Sequence, residues 1–142
     1  MWRRALIYVG IVFGVGFALG AIRVTLLVPR LGERWAELLE MPLMLVAIFY
    51  AARFVVRRHP GVTPAGQLQG GLLALAMMLA VELGIALPMR GLTLAEYLAT
   101  RDPVSGTAYA ASLVVFALMP WVLARRARTF LLEHPDERPS TR

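Results

Sequence analysis

Four long apolar runs dominate this sequence and restrict what the chain can fold into. They occupy residues 5–28, 33–58, 64–89 and 104–124. Because a helix of about 20 apolar residues crosses the roughly 30 Å hydrocarbon core of a bilayer, each run predicts a membrane-spanning helix. Hydrophobic residues make up 58% of the 142 residues, against about 45–50% in soluble domains. This composition argues against a soluble enzyme and against a disordered chain.

A short helix is predicted between the third and fourth runs. Thr93 followed by Glu96 forms a capping box, in which each side chain bonds a free backbone amide of the other residue. Leu94, Tyr97 and Leu98 share one side of the two turns that follow, which is typical of a helix lying on the membrane surface. We therefore predict an all-α polytopic membrane protein with four transmembrane helices and one short interfacial helix between the third and fourth.

The chain is predicted to form one domain with a short tail. Residues 1–128 contain the four-helix transmembrane domain, and residues 129–142 are expected to form a polar, disordered cytoplasmic tail. The first run also has a competing interpretation. Residues 18–20 follow a charged start and a short apolar region, as in a signal-peptide cleavage site. Whether the first span is retained or cleaved therefore stays open at this point.

The distribution of positive charge predicts the orientation of the spans. The chain has 15 basic residues, all of them arginine, against nine acidic ones. Seven arginines lie at the N-terminus, at the connection between the second and third spans and after the fourth span: Arg3, Arg4, Arg57, Arg58, Arg125, Arg126 and Arg128. Four lie at the other two connections: Arg30, Arg34, Arg90 and Arg101. The positive-inside rule then places both termini in the cytoplasm and the multi-pass chain in the cytoplasmic (inner) membrane. These arginines meet lipid headgroups, so nucleic acid is not an expected partner.

No motif in the sequence indicates catalysis or a bound cofactor. The chain has no cysteine, which excludes disulfides, iron–sulfur clusters and thiolate zinc sites. Its two histidines, His59 and His134, each precede a proline outside the apolar runs, where they cannot ligate haem in the bundle. We therefore predict no metal, no cofactor and no enzymatic activity. A membrane enzyme acting on lipid substrates is the least favoured alternative.

Two charges inside the apolar runs, Arg23 and Glu82, are predicted to form an intramembrane ion pair. A charge at membrane depth costs roughly 2.5–3.5 kcal/mol on insertion scales, so each needs a partner or a function. The two residues differ in depth by about 4 Å at 1.5 Å per residue, which an arginine side chain can span. The pair has two interpretations. It is a static bridge that fixes helix register, or Glu82 binds a proton or a cationic ligand when the bridge opens.

Three carboxylates lie at the start of the second run. Glu33, Glu37 and Glu40 share one helical face, so they are candidate rim ligands for a divalent cation or simply a solvated helix end. Glu37 and Glu40 are the candidates nearest the apolar segment. Pro42 follows them, and Pro120 lies in the fourth run. Each proline removes a backbone hydrogen bond and is predicted to kink its helix.

Four glycines in the first run predict helix packing. Gly10, Gly14, Gly16 and Gly20 form two GxxxG spacings on different faces of one helix. Either these faces pack within the four-helix bundle, or one packs there and the other docks a further copy or another membrane protein. This pattern favours an accessory or structural subunit whose partners are the lipid bilayer and a homo-oligomer or another membrane protein. The alternative is a small proton- or cation-coupled transporter that uses the Glu/Arg pair.

Overall fold

The computed structural model describes residues 1–137, which are all-α. Its helices are α1 (Trp2–Ile22), α2 (Val28–Leu31), α3 (Glu33–Arg58), α4 (Pro64–Arg90), α5 (Leu94–Thr100) and α6 (Pro103–Glu133). A π-helical turn, Arg23–Leu27, joins α1 to α2, so that Trp2–Leu31 is continuously helical. Four helices, Trp2–Leu31, α3, α4 and α6, are long and apolar enough to cross a membrane. The predicted fold class is confirmed, including the short helix α5 and its capping box.

The four long helices form a ring in which each packs against two neighbours. α1 and α6 both contact α3 and α4, so α1 and α6 lie across the centre from each other. The N-terminus, the α3–α4 connection and the end of α6 lie at one end of the ring, which we name the terminal end. α5 and the remaining connections lie at the opposite end, the short-helix end.

The tightly packed core lies in the half of the bundle nearer the terminal end. Its buried residues are Ala5, Tyr8 and Val12 on α1, Ile48, Ala51, Ala52 and Val55 on α3, Ala74 and Met78 on α4, and Phe116 on α6. Many of them are small, which lets helices approach closely where lipid supplies no hydrophobic driving force. The closest approach is at Gly71, where a Cβ would overlap the carbonyl oxygen of Ala117.

A hydrogen bond between α1 and α6 crosses the centre of this core. The Tyr8 hydroxyl donates to the Phe116 carbonyl oxygen at 2.6 Å, and the two rings stack with centroids 4.4 Å apart. Pro120 lies four residues after Phe116 and has no N–H, so that carbonyl has lost its usual helical donor. The tyrosine hydroxyl therefore replaces the hydrogen bond that the proline removes.

The first span ends later than the sequence predicts. Residues 28–31, expected to be a connector, are helical, and the chain turns at Gly32, whose φ of +82° favours glycine. Pro29 cannot donate to the carbonyl four residues earlier, that of Thr25. In the π turn just before it, the Val28 N–H bonds the Arg23 carbonyl, five residues earlier.

The two prolines and the end of the last helix can be placed in the structure. Pro42 and Pro120 lie inside the continuous helices α3 and α6, and the kinks expected there stay predictions. α6 continues to Glu133, five residues beyond the predicted boundary at residue 128, and a 3-10 turn follows at Pro135–Glu137. The last five residues of the predicted tail, 138–142, lie outside the described residues.

An ion pair ties α3 to the start of α6 at the short-helix end. The Arg34 guanidinium donates to the Asp102 carboxylate at 2.6–3.1 Å through its Nε and Nη2 atoms. Asp102 also caps α6, because it accepts from the backbone N–H groups of Val104 and Ser105. These bonds, the Arg34 contact foremost, lower the pKa of Asp102 to about 2.

Replacing Tyr8 by Phe should destabilise the bundle by about 1–3 kcal/mol, because it leaves the buried Phe116 carbonyl without a donor. The free energy of unfolding in mixed micelles measures the change. The matched control is the same substitution in a Pro120→Ala background, where the amide of residue 120 supplies a helical donor. The loss should be smaller there. An equal loss in both backgrounds would show that the hydroxyl is not the substitute donor.

The Arg34–Asp102 contact should make stability depend on pH in the acid range. An Asp pKa lowered from about 3.9 to about 2 contributes stability that is complete above about pH 4 and is lost as the pH falls through about 2. Asp102→Asn keeps a good capping residue and removes the charge. We expect the Tm difference between wild type and this variant to shrink between about pH 4 and pH 2. In an Arg34→Gln background the difference should be small at every pH.

Candidate functional site

A cavity of about 590 Å³ occupies the half of the bundle nearer the short-helix end. Ligand pockets in proteins usually measure about 300–1,000 Å³, so the space is large enough for a small organic molecule. Its floor consists of four core residues, one from each long helix: Val12, Ile48, Met78 and Phe116. The cavity therefore begins where the tightly packed core ends.

An arginine and two carboxylates form one charged group in the wall of the cavity. Arg23, the first residue of the π turn, lies 3.5 Å from Glu37 and 3.2 Å from Glu40 on α3. The exposed fractions of the three side chains are 28%, 14% and 12%, so the group is largely withdrawn from solvent. Only the Glu37 contact has hydrogen-bond geometry; the Glu40 oxygen nearest Arg23 is held by charge alone.

The predicted ion pair between Arg23 and Glu82 is wrong. Glu82 lies in the same cavity, but its carboxylate accepts a hydrogen bond from the Tyr109 hydroxyl on α6. The similar depths of Arg23 and Glu82 do not determine how each helix is rotated about its axis. In the structure Arg23 faces α3, the neighbour on which Glu37 and Glu40 lie one turn apart.

Glu82 is left without a cationic partner. Within residues 1–137, no arginine nitrogen lies within 4.0 Å of its carboxylate. The nearby Arg101 guanidinium instead stacks on the Tyr109 ring, 4.6 Å from the ring centroid. The cavity wall contains two arginines, Arg23 and Arg101, and three carboxylates, Glu37, Glu40 and Glu82. Its formal charge is therefore −1 when every carboxylate is ionised.

The rim carboxylates do not form a metal site. Glu37 and Glu40 line the cavity together with Met44, whereas Glu33 is exposed and lies outside it. In the described part of the chain, no three His, Asp or Glu side chains converge in a way that could hold a metal ion. The Arg23 guanidinium occupies the space between Glu37 and Glu40 that a divalent cation would need.

The two glycine pairs of α1 have different surroundings. Gly16 and Gly20 line the cavity, and a Cβ at Gly16 would stand 3.4 Å from the Met44 methyl group. Gly10 and Gly14 lie on the exposed surface, where an added Cβ meets no atom within 4 Å. Gly16 and Gly20 therefore widen the cavity. The closest helix contact in the bundle is at Gly71 and not at these glycines.

The sequence analysis missed the two tyrosines and the arginine that complete the interior. Tyr8 bonds the Phe116 carbonyl, Tyr109 bonds Glu82, and Arg101 covers the Tyr109 ring. A signal for the tyrosines is present in the sequence, because a hydroxyl in an otherwise uncharged apolar run needs a hydrogen-bond partner. No local signal identifies Arg101, since it lies in the connection between α5 and α6.

Arg23→Gln should lower the free energy of unfolding by about 1–3 kcal/mol, because Glu37 and Glu40 then lose their common partner. The value lies below the roughly 3–5 kcal/mol of a fully buried pair because the guanidinium is 28% exposed. Adding Glu37→Gln and Glu40→Gln should restore most of the loss. The measurement is reversible unfolding in mixed micelles.

Glu82→Gln is the matched control for the same measurement. It removes a cavity carboxylate that has no cationic partner and keeps an acceptor for Tyr109, so stability should change by less than about 0.5 kcal/mol. Two results together would instead support a direct pair between Arg23 and Glu82. Glu82→Gln would lose as much stability as Arg23→Gln, and the variant carrying both substitutions would recover it.

The chain was compared with known protein families, curated proteins and solved structures. No family model, no curated protein and no solved structure matches it. The cavity and the carboxylate of Glu82, which has no arginine partner in residues 1–137, are the features of this chain that indicate a function.

Proposed function

We propose that this protein is a small membrane transporter that binds an organic cation in the interior cavity and exchanges it for a proton. One observation carries the proposal. Glu82 is a carboxylate at membrane depth that faces a 590 Å³ cavity and has no arginine partner within 4.0 Å in residues 1–137. Carboxylates in membrane spans are costly, and those that face a cavity commonly form ion or proton pathways.

The charge balance of the cavity supports a cationic ligand. The group formed by Arg23, Glu37 and Glu40 carries −1, and Arg101 offsets Glu82 only from across the Tyr109 ring. A monovalent cation at Glu82 would bring the cavity to neutrality. The walls are otherwise apolar, so they weaken the hydration of both charges and strengthen their attraction.

The surroundings of Glu82 also support competition with a proton. Tyr109 donates to one oxygen of the carboxylate, which leaves the second oxygen to take up either a proton or a cation. Binding of one excludes the other, and this competition is the basis of exchange. The sequence predicted that Arg23 pairs with Glu82 and separates from it when a ligand binds. In this proposal Arg23 has a different role, because it positions α3 through Glu37 and Glu40.

A second candidate function, an accessory subunit, has one observation in its favour. Gly10 and Gly14 leave an open strip on the outer surface of α1, where a helix of another copy or another membrane protein could approach closely. The orientation proposed from the arginines, with both termini in the cytoplasm of an inner-membrane protein, suits either function. It would place the cavity in the outer half of the membrane.

The transporter proposal predicts that dodecyltrimethylammonium binds the protein in phosphatidylcholine nanodiscs, and that its affinity falls as the pH falls. Glu82→Gln should weaken binding by at least about tenfold and remove the pH dependence, because the ligand and the proton share this carboxylate. In proteoliposomes, a gradient of the cation should drive a proton flux that an entrapped pH dye reports. Glu82→Gln should abolish that flux.

Two control variants make this test specific. Glu96→Gln removes an exposed carboxylate and keeps the capping box, so binding should stay unchanged. Gly20→Leu fills the cavity and should reduce binding, whereas Gly10→Leu alters only the outer strip. If Gly10→Leu separates a complex while Gly20→Leu and Glu82→Gln bind normally, the accessory function replaces the transporter.

A further inference from the structure

We infer that the occupant is a lipid-soluble, single-chain amphiphile with one positive charge, and that it reaches the cavity sideways from the bilayer. The inference rests on the proposed function in taking Glu82 as the cation site. It adds the chemical class of the ligand and its route. Both follow from where the cavity wall is exposed.

The exposed part of the cavity wall is a single stripe on the first span. Of the lining residues, Phe13, Phe17, Ala21 and Val24 are exposed, whereas those from α3, α4 and α6 are buried or half-buried. Their spacings of four, four and three residues put them on one face of the helix. Phe17 is 75% exposed although it lines the cavity. This stripe is the edge of the opening, which we name the α1 mouth.

The α1 mouth opens at the depth of the hydrocarbon. The first span runs from Trp2 to Leu31, so Phe13 and Phe17 lie within about 6 Å of its midpoint at 1.5 Å per residue. Lipid chains, not water, surround a helix at that depth. The charged residues Arg23, Glu37 and Glu40 lie closer to the short-helix end. The α1 mouth is therefore an uncharged opening that faces lipid.

The arrangement of polar and apolar groups defines the shape of the ligand. The mouth and floor are apolar, with Phe13 and Phe17 at the edge and Met78 and Phe116 behind. The unpaired carboxylate is at one side of the same space. A molecule that matches this surface has an apolar chain and a single cationic head, and the one excess negative charge of the cavity matches one positive charge.

A homologous series tests the ligand class. Butyl-, octyl- and dodecyltrimethylammonium share a head and differ in partitioning into lipid, by about fourfold per methylene. If the mouth and floor of the cavity bind the apolar chain, the apparent aqueous Kd in phosphatidylcholine nanodiscs should fall by at least about 30-fold from butyl to octyl. Dodecyl sulfate, which has the same chain and the opposite charge, should not compete.

The absence of cysteine in the chain allows the route to be tested with single spin labels. A label at Phe17→Cys should be accessible to oxygen, which concentrates in lipid, and inaccessible to a water-soluble nickel complex. Binding of dodecyltrimethylammonium should immobilise it. Val46→Cys, an exposed mid-span position on α3 that does not line the cavity, should show the same lipid exposure without immobilisation. Asp136→Cys is the aqueous reference.

The outcomes separate this inference from the proposed function. Equal affinity for all three cations would overturn the single-chain ligand class, and a label at residue 17 that the nickel complex reaches would overturn the bilayer route. Either result leaves cation binding at Glu82 intact. No binding of any cation, with folding preserved in Glu82→Gln and wild type alike, would overturn the proposed function itself. Binding of dodecyl sulfate as strong as that of the cation would overturn the assigned charge of the ligand.

Discussion

In an apolar environment every backbone carbonyl and amide needs a partner, and the rest of this structure depends on how the chain meets that demand at Pro120. The proline leaves the Phe116 carbonyl without its helical donor, and the Tyr8 hydroxyl takes its place from the opposite helix. This bond holds α1 against α6 across the centre of the ring. Around it, alanines and the close approach at Gly71 fill the terminal half. No equivalent bond between α1 and α6 is found toward the short-helix end in residues 1–137, and there the cavity lies.

Carboxylates at similar depth differ in what they can do because their partners differ. Glu37 and Glu40 share one arginine, which balances half of their combined charge, and their contribution is to position α3. Glu82 has only a neutral donor, Tyr109, which orients the carboxylate without neutralising it. A carboxylate held in this way keeps its attraction for a cation or a proton. The separation between structural and available charges follows from the direction of Arg23, which faces α3 and not Glu82 on α4.

The features that could be predicted from the sequence are the ones set by local chemistry. Span lengths follow from apolar runs, and α5 follows from Thr93 and Glu96, whose reciprocal bonds need no other part of the chain. The partner of Arg23 could not be predicted, because it depends on which neighbouring helix that face of the first span meets. The cavity itself was also outside the reach of sequence analysis. A cavity of this kind is the space that four helices together leave unfilled, and no single run of residues encodes it.

The glycines in the cavity wall have a consequence for how such a protein can diversify. Gly16 and Gly20 set the width of the cavity from α1, whereas its unpaired charge comes from α4. In the proposed transporter, size and charge discrimination are thus located on separate helices. A single added methyl group on α1 would exclude larger molecules while leaving the electrostatics untouched. With that function, lineages carrying this fold could change the range of molecules they accept by small steps, with no loss of the charged residues in the cavity wall.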